Sequence, residues 1–215
     1  MKKFILIFAL LIWPAALFAE EPAAERPHWS FEIKGGDFIP AIDNWSQYYG
    51  RRYTKEYGGS LAYKLLRPLE VGIEGNYIED RGQGLAPLHN IAAGNVTYKL
   101  YPVNVFVLAR GVFSENQWLV PYVGGGWTRI FYEEEVEKQG VARGAVNGYH
   151  ARAGLQLLLD GIDVDAANSL YLDSGVYHTY FFLEAEYTRA MVDTVSGSSV
   201  NLGRTSWLGG LLFEF

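Results

Sequence analysis

The chain contains no cysteine, which excludes both disulfide staples and a thioether-linked lipid anchor. Four histidines are present, and no two stand at a ligand spacing such as His-x-x-x-His. His150 and His178 therefore read as satisfied polar side chains, and no metal or cofactor is expected. Past the amino terminus, no stretch reaches the roughly 18 apolar residues of a membrane-spanning helix. Basic charge is also scarce: 18 Lys and Arg stand against 24 Asp and Glu, a net charge of −6. That balance argues against nucleic acid as a general partner. No internal repeat or low-complexity tract stands out.

The amino terminus carries the one long apolar run. Lys2 and Lys3 precede an unbroken apolar stretch from Phe4 to Ile12, and Ala19 stands before Glu20-Glu21. A short basic start, an apolar centre and a small residue at the cut are the order of a cleavable export signal over residues 1–19. Leu17, three positions before the cut, is bulkier than the usual alanine there. An uncleaved anchor is disfavoured by the polar Glu20, Glu21, Glu25 and Arg26. About 196 residues remain after cleavage. They divide into a short leading segment, 20–28, and one domain, 29–215.

What the domain does have is aromatics (15%), 24 glycines in the whole chain and a mean hydropathy near zero. Apolar and polar residues alternate with period two, the pattern of half-buried strands. Eight candidates follow: Trp29–Pro40, Tyr57–Leu66, Leu69–Asp80, about Ile91–Tyr101, Leu119–Glu133, Gly148–Leu159, Val176–Met191 and the last segment to Phe215. Arg67-Pro68 is a tight turn joining the second and third as a hairpin. The glycine run Gly124–Gly126 leaves the facing of the fifth open. Eight strands of ten to twelve residues suit a tilted barrel, and closure removes exposed strand edges.

The final residues, Gly210-Leu211-Leu212-Phe213-Glu214-Phe215, alternate and end on an aromatic carboxy-terminal residue. Together with the export signal, Val120–Gly126 and Gly175–Phe182, they resemble the small outer-membrane β-barrel family, the OmpA/OmpX/OmpW-like "outer membrane protein beta-barrel domain" proteins. The resemblance implies an all-β fold, a single antiparallel up-and-down transmembrane barrel, in the outer membrane of a Gram-negative envelope. It also implies that Gly210, Phe213 and Phe215 form the membrane-insertion signal read by the barrel-insertion machinery. Outer-membrane lipids and lipopolysaccharide are the other expected partners, and the barrel is expected to be a monomer. The family includes structural barrels, small channels and lipid A enzymes, so no single activity follows.

Loops after odd strands are expected outside: Ala41–Glu56, Arg81–His89, Glu134–Asn147 and Val192–Val200. Connections after even strands are expected in the periplasm: Arg67-Pro68, Pro102–Trp118 and Asp160–Gly175. The last two are long for that side. Val103–Ala109 is apolar enough to extend a strand or add one. Asp163–Leu172 reads as a short interfacial helix. Trp29, Trp118, Trp127 and Trp207 suit the aromatic belts at a membrane surface.

The alternation places a set of charges on the inward face: Glu32, Lys34, Lys64, Glu70, Glu74, Lys99, His150, Arg152, His178, Glu184, Glu186, Arg204 and Glu214. An eight-stranded interior is just wide enough for side chains to fill, and mixed charges in a dry space should pair. A filled barrel with a structural or surface-interaction role is therefore expected. A narrow channel lined by His178, Glu184 and Glu186 is the alternative. Catalysis lacks a constellation. His178-Thr179-Tyr180 departs from the His-x-Ser pair of the lipid A deacylases, His178 and Ser174 are four apart, and His89 has only Asp80, Ser196 or Ser198 as candidate partners, so no enzyme is expected. Two surface runs stand out. Tyr48–Lys55 mixes tyrosines with cations suited to lipid phosphates, and Glu133–Glu137 is acidic enough to gather divalent cations. Solvated loops are the plainer reading of both.

Overall fold

The computed structural model describes residues 27–42, 45–83, 95–114, 117–137, 140–193 and 199–215. The signal segment, His89, Ser196 and Ser198 lie outside them, as do residues 91–94 at the expected start of the fourth strand.

Alternating sequence becomes strand along nearly the whole described chain. The elements are β1 (Trp29–Pro40), α1 (Trp45–Tyr49), β2 (Thr54–Leu66), β3 (Leu69–Gln83), β4 (Asn95–Arg110), β5 (Leu119–Val136), β6 (Gly140–Leu158), α2 (Val164–Ser174), β7 (His178–Arg189), β8 (Met191–Asp193), β9 (Ser199–Asn201) and β10 (Arg204–Glu214). Eight of the strands close an antiparallel barrel in the order β1-β10-β7-β6-β5-β4-β3-β2, while β8 and β9 form a separate hairpin.

The register fixes the shape. Partners can be followed once around from Trp29 through Tyr63, Val71, Val107, Gly125, Ala151, Tyr187 and Thr205. The path returns to β1 at Ile39, ten residues beyond its start. A stagger of ten over eight strands requires a strand tilt of roughly 35–45° and an interior that side chains fill. Closure is completed at the chain ends, where the Trp29 amide donates to the Phe215 carbonyl (3.0 Å) and the Phe215 amide to that of Trp29 (2.8 Å).

The connections differ between the two ends. At the end holding both termini, Arg67-Pro68 is the tight turn expected. Val103–Ala109 is neither loop nor extra strand but the second half of β4, which shortens the next connection to residues 111–118. Both faces of that half are mostly apolar, so alternation there is faint in the sequence. The third connection carries α2. Its N-cap Asp163 accepts from the Ala166 amide, and Gly175 ends it in the left-handed region (φ 69°) with amides returning to Leu170 and Tyr171. These are the N-cap and left-handed C-terminal ends expected from Asp and Gly. At the opposite end, the expected loop Glu134–Asn147 is mostly strand, with β5 running to Val136 and β6 starting at Gly140. There α1 lays Trp45 and Tyr49 over the barrel mouth.

The facing of β5 follows unbroken pairing on both sides. Val120, Tyr122, Thr128 and Ile130 are buried inward, whereas Val123, Trp127 and Phe131 point out. Its glycine run is a close approach between strands: a Cβ at Gly126 would lie 1.9 Å from the Val105 carbonyl oxygen.

Candidate functional site: the barrel interior

Inward positions build a layered interior. Nearest the termini, Lys64 Nζ lies 2.6 Å from Glu214 Oε1, and Arg110 Nη1 reaches Glu70 (2.9 Å) and Glu214. Ser30 donates to Glu70 (2.9 Å), and the Arg110 guanidinium stacks on Tyr180. Above this ionic layer lies an apolar one with Phe182, Leu212, Leu108 and the ring of Tyr122.

The central layer is ionic again. Lys34 Nζ contacts Glu74 (2.6 Å), Glu184 (3.0 Å) and Glu186 (3.4 Å). Arg152 spreads its fork over Glu74 (2.7 Å), Glu32 (3.0 Å) and Glu184 (3.0 Å). Neutral donors hold the remaining oxygens: Ser60 on Glu32, Asn76 and Asn104 on Glu74, Tyr122 on Glu184 and Thr188 on Glu186. Thr128 donates to Asn104 Oδ1 (2.8 Å) and lies 2.9 Å from His150 Nδ1. A buried ion is tolerated only when paired and hydrogen-bonded, and this lattice supplies both. Gly210, the β10 partner of Lys34, marks a close approach of the two strands, since a Cβ there would sit 2.0 Å from the Ile33 carbonyl oxygen.

The mouth at the α1 end is apolar. Phe38, Ile78, Tyr98, Leu100 and Ile130 from the strands pack under Trp45 and Tyr49 of α1. The Trp45 and Tyr49 rings stack at 3.8 Å. Burial pushes the Tyr49 phenol upward, and the Glu134 and Asp80 carboxylates add to the shift, so the cap meets the interior as a neutral group.

Three residues expected in the interior stand elsewhere. Lys99 points outward, 3.9 Å from Glu133. At its level the interior belongs to Val96, Tyr98 and Leu100, so the apolar set is the buried one. Arg204 has inward parity but lies at the rim, exposed, with Nη1 on the Pro40 carbonyl (3.3 Å). His178 lies at the opposite rim, Nδ1 2.8 Å from Asp160 Oδ2, and Asp160 also accepts from the Thr179 amide. That pair ties the α2 connection to β7 and takes no place in a central pathway. Asn104 and Arg110 of the interior escaped the sequence reading, although both are even-numbered positions on one face of a single strand. Phe213 faces outward and Phe215 remains partly exposed.

The surface runs resolve as well. Of the acidic run, Glu133 faces out and pairs with Arg143 (2.9 Å), whereas Glu134 is buried inside. Alternation thus divides the carboxylates between faces and does not gather them. In the cationic run, Tyr49 joins the cap, Arg51 pairs with Asp80 (2.6 Å) and Lys55 with Asp37 (2.6 Å).

The closed eight-stranded topology is shared by a solved structure. The crystal structure of Neisserial surface protein A superposes with a TM-score of 0.53 over 87% of this chain and 97% of that one, at 11% identity. The two share one fold, a small closed β-barrel. The amino-terminal barrel of Pseudomonas aeruginosa OprF also aligns, with a TM-score of 0.47 over 88% of this chain and 98% of that one, at 13% identity. No family model matches the chain, and no curated protein matches it in sequence. Identity this low carries the small-barrel fold and nothing finer.

Proposed function

We propose that the protein is an integral outer-membrane barrel with a filled interior, serving a structural or surface-interaction role without catalysis. The observation that carries this reading is its inverted polarity. Large apolar side chains, among them Phe31, Leu61, Ile73, Val105, Val123, Leu155, Phe181 and Trp207, are exposed around the whole circumference. The ions are sealed inside. In water this arrangement wastes apolar surface and buries charge; in a bilayer it satisfies both solvents. On this reading the termini and α2 are periplasmic and α1 is extracellular. The two ionic layers and the apolar cap close the lumen.

The test is heat-modifiability. The folded protein in detergent should migrate differently on a gel before and after boiling, with a β-type circular dichroism spectrum, and should show no stepwise conductance in planar bilayers. A chain soluble without detergent, with no mobility shift, would overturn the reading. A narrow cation-selective channel is the second reading. It is favoured by the central layer's four carboxylates against two cations. Stepwise currents abolished by Glu184→Gln with Glu186→Gln would establish that role instead.

A further inference from the structure

Two groups of cations stand near the α1 end, and they differ in one respect. Arg51, Lys55 and Arg81 are each matched to a carboxylate of the barrel itself, namely Asp80, Asp37 and Glu79. Arg129 of β5 and Arg189 of β7 are not: among the described residues, neither has a carboxylate partner. Arg129 donates to the Asn147 amide oxygen (3.3 Å) and lies over Phe131. Arg189 is exposed. The carboxylates nearest in the register are engaged, Glu133 by Arg143 and Asp193 by the Ser199 hydroxyl.

The register brings these two arginines together. Arg129 is opposite Asn147, and Tyr149 is opposite Arg189. They stand two strands apart with a two-residue stagger, about 12 Å between Cα atoms from the strand spacing and rise. Strand tilt lifts each successive strand by about 3 Å, which offsets the stagger and sets both guanidinium groups at one height. Just below them Trp127, Tyr149, Tyr187 and Trp207 form a continuous outward aromatic belt over four neighbouring strands. Tyr and Trp mark the headgroup level of a bilayer.

Below the belt, on β6, β7 and β10, the outward face is recessed. Ala153, Ala185 and Trp207 are one cross-strand row, and Leu155, Leu183 and Gly209 the next. Two alanines and a glycine leave an open apolar groove walled by the leucines and the Trp207 indole. It runs beneath the arginine pair.

We propose that Arg129, Arg189 and this groove form a site for one phosphorylated outer-leaflet lipid. The two guanidinium groups clamp a headgroup phosphate, and an acyl chain lies along the groove. Forked arginine donors match phosphate oxygens, and charge complementarity favours this occupant because, among the described residues, no carboxylate pairs with either arginine. The inference rests on the membrane reading above.

The experiment is native mass spectrometry of the folded protein released from phosphatidylcholine nanodiscs containing a small fraction of diphosphoryl lipid A. A gel-mobility control on each sample establishes that the barrel is folded. One retained lipid A per barrel is expected. Retention should fall at least tenfold when the lipid's phosphates are removed, a comparison that needs no variant. It should fall similarly in Arg129→Gln with Arg189→Gln, and several-fold in Ala185→Leu, which fills the groove without changing charge. Arg51→Gln with Arg81→Gln should leave retention unchanged. Equal retention of phosphorylated and dephosphorylated lipid would overturn the proposal, as would indifference to the Arg129 and Arg189 changes. Displacement by millimolar inorganic phosphate, with no effect of filling the groove, would identify a free-phosphate site and overturn it too. A missing mobility shift in the wild type would instead overturn the membrane reading.

Discussion

Single side chains in the interior are coupled through shared partners, so their removal should cost more than one contact. Arg152 touches Glu32, Glu74 and Glu184. Arg152→Ala leaves three buried carboxylates with only Lys34 nearby, and losses of about 3–5 kcal/mol are typical when one member of a buried ion pair is removed. Urea unfolding in lipid vesicles should show a clearly lower midpoint. Arg204→Ala, at the exposed rim, should stay within roughly 0.5 kcal/mol of wild type. Gly126→Val presses side-chain atoms against the Val105 carbonyl in a register fixed on both sides. A cost of about 1–3 kcal/mol, usual for overpacking, should appear in the same measurement.

Elements were legible where alternation had one solvent to answer to. The first strand, Trp29 to Pro40, keeps its expected bounds because greasy and charged residues separate cleanly from Trp29 to Lys34. A period of two then fixes every facing along it. Lys99 was misplaced because, near the mouth, the outside turns polar and the inside apolar, so the same parity carries the opposite chemistry. Arg110 was missed because Phe106 and Leu108 share its face and blur the pattern. The cap made by Trp45 and Tyr49 has no local signal; it depends on Phe38, Ile78 and Leu100 arriving from three strands. The helix α2 is a contrasting case, expected over Asp163–Leu172 and found over Val164–Ser174, independent of the core, since none of its residues is buried. Asp163→Ala should therefore speed amide exchange in Val164–Ser174, as expected for a loss of about 1 kcal/mol at an N-cap. The barrel's melting temperature should not move.

At the scale of the whole molecule, each barrel strand pairs with the next barrel strand of the chain except at one seam, where Ser30 meets Glu214 across nearly the full domain. Loop closure over that distance must precede the contact that rewards it. A chain ending at Gly203 would lack β10, leaving β1 and β7 as open edges. It should give no species that resists unfolding on an unboiled gel.

The seam has a second consequence. Because the Trp29 and Phe215 backbones are hydrogen-bonded to each other, the strands form a ring with no intrinsic beginning. Joining the two ends by a short linker and opening the chain at Arg67-Pro68 would preserve every strand pair, the condition under which permutation is tolerated. Such a permuted chain should refold in detergent with the wild-type mobility shift. Its carboxy terminus would no longer be Phe215. Comparing its refolding in vitro with its assembly in cells would then separate what the last strand does as a wall of the barrel from what it does as the end of a message.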